Sequence, residues 1–210
     1  MDSKTHWENV YASKAVKEVS WYRQHLEQSL RLIATTGVHR DAAIIDIGGG
    51  ASTLVDDLLD QGFGNLTVLD ISASALANAS TRLGNRAQQV NWLEADITKA
   101  VLPQNHFDLW HDRAVFHFLT EPEDRRRYVE QVRQSLKPGG HIIVASFGPN
   151  GPLRCSGLEV VRYNPDELHT EFGDEFHLVE SVAELHQTPF DTTQEFVYCY
   201  CRKSAERKVV

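Results

Sequence analysis

Ala43-Ile44-Ile45-Asp46-Ile47-Gly48-Gly49-Gly50-Ala51-Ser52 is an apolar run that breaks into three glycines. Leu54, Val55, Leu58 and Leu59 follow at helical spacing and Gly62 stops them, so the stretch reads as strand, glycine turn, helix. Missing Cβ atoms between a strand and a helix let a ligand approach the backbone closely. A nucleotide-type ligand fits such a turn, and more than one would do. G-x-G-x-x-G is a dinucleotide fingerprint, but Thr53 occupies its third glycine position here. Residues 66–71 make the next strand, with Asp70 at its end, where an acid can accept hydrogen bonds from ribose hydroxyls. Removing Asp70 is therefore expected to weaken the ligand and leave the fold intact. Ser72 caps the following helix, whose apolar residues are Ala75, Leu76, Ala79 and Leu83 before Gly84.

Outward from this unit, residues 90–93 and 107–111 read as a third and a fourth strand. Thr120 with Glu123 reads as a capping box for a helix running through Leu136. Gly139 and Gly140 lead into a fifth strand over 141–147, and residues 176–185 and 194–202 pair as a terminal hairpin. Strands alternating with helices predict an α/β fold with a mainly parallel sheet and helices on both faces. Upstream, Tyr22, Leu26, Leu30 and Ile33 share one face of a helix starting near Ser20. Trp7, Tyr11 and Trp21 belong to an N-terminal extension that either closes over the ligand edge as a lid or packs on the core. One domain is expected over 1–210: a helical extension to residue 40, a core over 41–148, and a loop with the hairpin over 149–210.

The 210 residues are 41% hydrophobic and 24% charged, ordinary globular composition. A net charge of -8 gives no basic footprint for phosphate backbones, which argues against a nucleic-acid partner. The absence of an apolar run of about 18 residues argues against a membrane span, and the polar start lacks the order of a secretory signal; a cytoplasmic protein is expected. Cys155, Cys199 and Cys201 contain no C-x-x-C pair, so neither a disulfide framework nor a metal site is indicated. Cys199 and Cys201 read as two positions of one strand, acting as small buried hydrophobes. Arg125, Arg126 and Arg127 lie among acids and read as a solvated helix face.

Taken in order, several of these segments resemble the class I (Rossmann-like) S-adenosylmethionine-dependent methyltransferase family across essentially the whole chain. Asp46, Gly48, Gly49 and Gly50 are similar to its first motif, Asp70 to its ribose-binding acid, and Glu94-Ala95-Asp96-Ile97 to its adenine-contacting acidic turn. Phe107-Asp108-Leu109-Trp110 resembles its fourth motif, and Leu136-Lys137-Pro138-Gly139-Gly140 its turn into the fifth strand. Ser52 departs from the pattern where many members carry a further glycine. The resemblance implies a three-layer sandwich around a seven-stranded, mostly parallel sheet with an antiparallel last strand. It also implies S-adenosyl-L-methionine as cofactor, with Ile71 and Ile97 sandwiching the adenine, Asp96 accepting from its amino group, Asp46 near its amino-acid end, and Tyr11 and Trp21 closing over it.

Such a cofactor carries an activated methyl group, so the protein must chiefly align a nucleophile and exclude water. His111, Asp112 and Arg113, just past the fourth strand, stand where an acceptor would be handled. His111 could equally point into the helix layer, and Asp112 with Arg113 could form a structural ion pair. His111-Asp112-Arg113-Ala114 is not the Asn/Asp-Pro-Pro-aromatic pattern of enzymes that methylate amino groups on planar systems. With Trp7-Glu8-Asn9-Val10-Tyr11 and Trp21-Tyr22, it resembles bacterial small methyltransferases. It is more distantly similar to the lysine methyltransferases of elongation factor 1A and citrate synthase, which carry Asp-Lys-Gly at this point. In the loop after the fifth strand, Cys155 is either a reactive thiol or packing, and Arg154 or Arg162 either holds an anionic acceptor or lies on the surface. A small-molecule acceptor is the first expectation and a protein lysine the second. From other classes, a non-catalytic cofactor-binding module or an NAD-dependent oxidoreductase remains open.

Overall fold

The computed structural model describes residues 2–13 and 19–205. The glycine-rich stretch does what its composition dictates: β1 (Ile44–Ile47) passes through a short turn into α3 (Leu54–Asp60), and β2 (Leu66–Asp70) follows. Ser72 Oγ accepts the Ala75 amide at 3.2 Å and opens α4 (Ala73–Leu83) as expected. β3 (Val90–Glu94), β4 (Phe107–Arg113), β5 (Leu136–Phe147), β8 (Phe176–Gln187) and β9 (Thr193–Lys203) complete a seven-stranded sheet in the order β3-β2-β1-β4-β5-β9-β8. β9 runs antiparallel to both its neighbours, β5 and β8, while β1 to β5 pair in parallel. β6 (Arg154–Cys155) and β7 (Leu158–Glu159) form a small separate hairpin.

Helices cover both faces, giving the three layers. α2 (Glu27–Thr36), α3 and α4 bury Leu32, Ile33, Val55, Leu58 and Leu76 against one face. α5 (Pro122–Ser135) and α6 (Pro165–Phe172) bury Tyr128, Val132, Leu168 and Phe172 against the other. The parallel order reverses between β1 and β4, so the crevice for a ligand opens beyond their carboxyl ends. Cys199 and Cys201 are buried in β9 with their sulfurs 3.2 Å apart.

Two expectations are corrected and one helix is added. The helix read from near Ser20 starts at Glu27, because long-range hydrogen bonds hold the preceding residues in turns. His186 Nε2 donates to the Ser20 carbonyl at 2.7 Å, Arg113 Nη1 to the Trp21 carbonyl at 3.1 Å, and Arg23 Nε to His186 Nδ1 at 2.9 Å. The Thr120 capping box is replaced by a start at Pro122, while Glu123 pairs with Arg126 and Arg127 at 2.7 and 3.1 Å. α6, which the sequence reading passes over, has a capping box of its own: the Glu167 amide donates to Asn164 Oδ1 and the Asn164 amide to Glu167 Oε2, both at 2.9 Å. No helix of the described residues is long and apolar enough to cross a membrane.

Candidate active site

The carboxyl ends of β1, β2 and β4 and the turn after β3 surround a cavity lined by Asp46, Gly48, Gly49, Asp70, Ile71, Asp96, Ile97, His111 and Arg113. Gly48 has φ of +67°, and a Cβ there would strike Val115. A Cβ on Gly49 would strike the Asp46 carboxylate, and one on Gly50 would come within 2.6 Å of Ala75 and 2.8 Å of Asp70 Oδ2. These glycines therefore make room for two acids and a helix as well as for a ligand. Gly50, expected at the ligand, is not among the residues lining the cavity; its amide donates to Asp70 Oδ2 at 3.1 Å, and the Ser72 amide donates to Asp70 Oδ1 at 2.9 Å. Burial raises the Asp70 carboxyl to about 6 against the pull of those two amides. Asp96 accepts from the Thr98 amide and hydroxyl and from Lys99 Nζ at 2.9 Å. Burial opposes its ionisation, but these hydrogen bonds prevail and hold its pKa below the usual range.

The three residues expected to serve an acceptor separate. Asp112 is fully buried and outside the cavity lining, accepting from the Val115 and Phe116 amides at 2.9 and 3.1 Å and from Tyr128 Oη at 2.7 Å. It pins the turn that follows β4, and burial lifts its carboxyl to about 7. His111 lines the cavity, but its Nδ1 bonds Asp46 Oδ1 at 2.6 Å and its Nε2 bonds Ser29 Oγ at 2.9 Å. Arg113 also lines the cavity; Nε donates to Tyr198 Oη at 3.1 Å, the guanidinium lies 4.3 Å over the Phe196 ring, and Nη2 is buried without a hydrogen bond, 3.9 Å from Glu184. Asp112 and Arg113 thus have different partners and do not form the ion pair that the sequence allows.

Across the mouth lies α1 (Ser3–Ser13). Ser72 satisfies one amide at the start of α4, and Glu8 reaches over from α1 to accept two more, from Ala73 at 2.6 Å and Ser74 at 3.3 Å. Lys4 pairs with Glu94 at 2.5 Å. Trp7 packs against Tyr11, Trp21 and Phe118, with ring centroids 6.0, 5.8 and 5.1 Å apart. Trp7, Tyr11, Trp21 and Phe118 all line the cavity, as does buried Cys155. Arg154 is exposed and pairs with Glu159, while Arg162 donates to the Pro149 and Gly151 carbonyls; neither lines the cavity.

Residues 45–142 match a family model described as a methyltransferase domain. EEF1A lysine methyltransferase 2 of Danio rerio is 26% identical over 160 residues, 70% of this chain and 69% of its own. The ubiquinone/menaquinone biosynthesis C-methyltransferase of Ectopseudomonas mendocina is 32% identical over 163 residues, 73% of this chain and 62% of its own length. Among solved structures, the 1,6-didemethyltoxoflavin-N1-methyltransferase of Burkholderia thailandensis, holding 1,6-didemethyltoxoflavin and S-adenosylhomocysteine, superposes with a TM-score of 0.66 at 20% identity, over 96% of this chain and 84% of that one. The chain belongs to the class I S-adenosylmethionine-dependent methyltransferases. The NAD-dependent and non-catalytic readings give way to that membership.

The cofactor of this methyltransferase is S-adenosyl-L-methionine, and the cavity fits it. Asp46 Oδ2 is a buried carboxylate oxygen without a hydrogen-bond partner, the kind of atom that a ligand's ammonium satisfies. The sequence reading missed Glu8, Ser29 and Phe118. Glu8 had only a weak signal: Ser72 satisfies one of the orphan amides of α4 and leaves others open to an acid from elsewhere in the chain.

Proposed function

We propose that this methyltransferase passes the methyl group of S-adenosyl-L-methionine to a small-molecule acceptor. The observation that carries the reading is the aromatic wall: Trp7, Tyr11, Trp21 and Phe118 pack on one another over the cavity, which suits an enclosed small molecule better than a lysine on a folded partner. Asp70 takes the ribose diol, Asp96 and Ile97 the adenine edge with Ile71 against its ring, and the glycine turn with Asp46 the amino-acid end. The cofactor supplies an activated methyl group on a sulfonium, so the residues align, desolvate and hold. Arg113, which lines the cavity and whose Nη2 makes no hydrogen bond but lies 3.9 Å from Glu184, orients the acceptor, whereas His111 holds Asp46 and Asp112 pins the turn after β4. On the sequence reading it works in the cytoplasm as one domain.

The likeness to a lysine methyltransferase keeps a protein acceptor as the second reading. Incubating the protein with methyl-labelled cofactor and a cell extract, then separating by size, decides between them. Label is expected among small metabolites; label confined to polypeptide overturns the first reading.

A further inference from the structure

Asp46 and His111 stand side by side on β1 and β4, a register pair of parallel strands, so their side chains share one face. Their side chains are 6% and 1% exposed. The Asp46 carboxylate, when ionised, only accepts, so His111 Nδ1 carries the shared hydrogen, and Nε2 accepts from the Ser29 hydroxyl on α2. With both ring nitrogens engaged, His111 has neither lone pair nor proton for an acceptor. The clamp instead fixes the Asp46 carboxylate: Oδ1 is tied to the imidazole, and Oδ2 lies beside Gly49 with no partner. The neighbouring charges answer to other groups. Asp70 holds the Gly50 and Ser72 amides, Asp112 holds Tyr128 and the turn after β4, and Arg113 points to Tyr198 and Trp21.

We propose that His111, locked between Ser29 and Asp46, is a positioning residue that presents the second Asp46 oxygen to the ammonium at the amino-acid end of the cofactor. It thereby controls recognition of that end and not of the nucleoside. The inference rests on the cofactor reading above and assigns to β4 and α2 a part in cofactor selection.

The test compares S-adenosylhomocysteine with 5′-methylthioadenosine, which keeps the nucleoside and lacks the amino-acid end, by calorimetric titration. His111→Leu is expected to lose roughly ten- to hundredfold in affinity for S-adenosylhomocysteine, the scale of a hydrogen bond to a charged group. Its affinity for 5′-methylthioadenosine stays within about twofold of wild type. His111→Asn, which retains a donor toward Asp46, recovers most of the loss. If His111→Leu fails to fold, Ser29→Ala releases the clamp from the other side and shows a smaller loss confined to S-adenosylhomocysteine. Equal losses for both ligands, or none for either, overturn the positioning role. Failure of the wild-type protein to bind S-adenosylhomocysteine overturns the cofactor reading itself.

Discussion

Asp70 shows how one side chain serves fold and ligand together. Its oxygens hold the Gly50 and Ser72 amides, so the sequence expectation of an untouched fold does not stand: Asp70→Ala leaves two buried donors unsatisfied. It should cost about 1–3 kcal/mol of unliganded stability, read by thermal or denaturant unfolding. Its carboxyl, lifted by burial to about 6, also sets a pH dependence. The ionised form is the better acceptor for a ribose diol, so protonation competes with binding. Affinity for S-adenosylhomocysteine is expected to hold above pH 6 and to weaken as pH falls through it, approaching about tenfold per unit. Asp70→Asn should bind more weakly with that dependence removed; a wild-type affinity constant from pH 8 to 5 would exclude Asp70 as the ribose acid. Ala114 offers a test of backbone strain. It takes φ of +75°, a left-handed conformation that favours glycine. An L-residue there costs about 1–2 kcal/mol, and glycine returns part of that as unfolded-chain entropy. Ala114→Gly should therefore stabilise the protein by about 0.5–1 kcal/mol in denaturant unfolding.

Among the elements, α1 is held by contacts remote in sequence. Glu8 accepts two amides at the start of α4, where a negative charge contributes about 0.3–1 kcal/mol. Glu8→Gln should speed dissociation of S-adenosylhomocysteine by about two- to fivefold and leave unfolding of the sheet unchanged. Stopped-flow tryptophan fluorescence measures this, and an unaltered off-rate would show that α1 does not gate the cofactor. The same contrast explains what could be read from sequence. β1, the glycine turn, α3, β2 and the Ser72 cap announce themselves because glycine, serine and apolar spacing act within a few residues. α6 was equally legible, since Asn164-Pro165-Asp166-Glu167 is a helix start. The turns before α2 were not: their hydrogen bonds come from Arg113 and His186, so tertiary contacts overrode a helical pattern. His111 lines the cavity, but its partners on β1 and α2, remote in sequence, decide what it can do.

At the scale of the molecule, opposed buried groups shape the dependence of stability on pH. Burial raises Asp70 to about 6 and Asp112 to about 7. The native state then keeps protons that the unfolded chain has lost, and this contribution to stability declines as pH rises from about 4 to about 7. Burial also lowers His117 to about 3 and His186 to about 4. Here the unfolded chain binds the extra protons, so stability declines as pH falls from about 6.5 toward those values. Between pH 4.5 and 6 the two carboxyls and the two imidazoles nearly cancel. These four groups together therefore add little net slope to the wild-type stability curve across that interval. Asp112→Asn removes one native-state proton from the balance, so between pH 4.5 and 6 its stability should fall on acidification by about 1.4 kcal/mol per pH unit more than wild type does. His117→Leu removes an opposing group and should tilt the curve the other way relative to wild type. Denaturant unfolding at several pH values measures each slope independently of the offset that either substitution introduces. Parallel slopes in wild type and both variants would show that these buried groups do not carry the protons assigned to them.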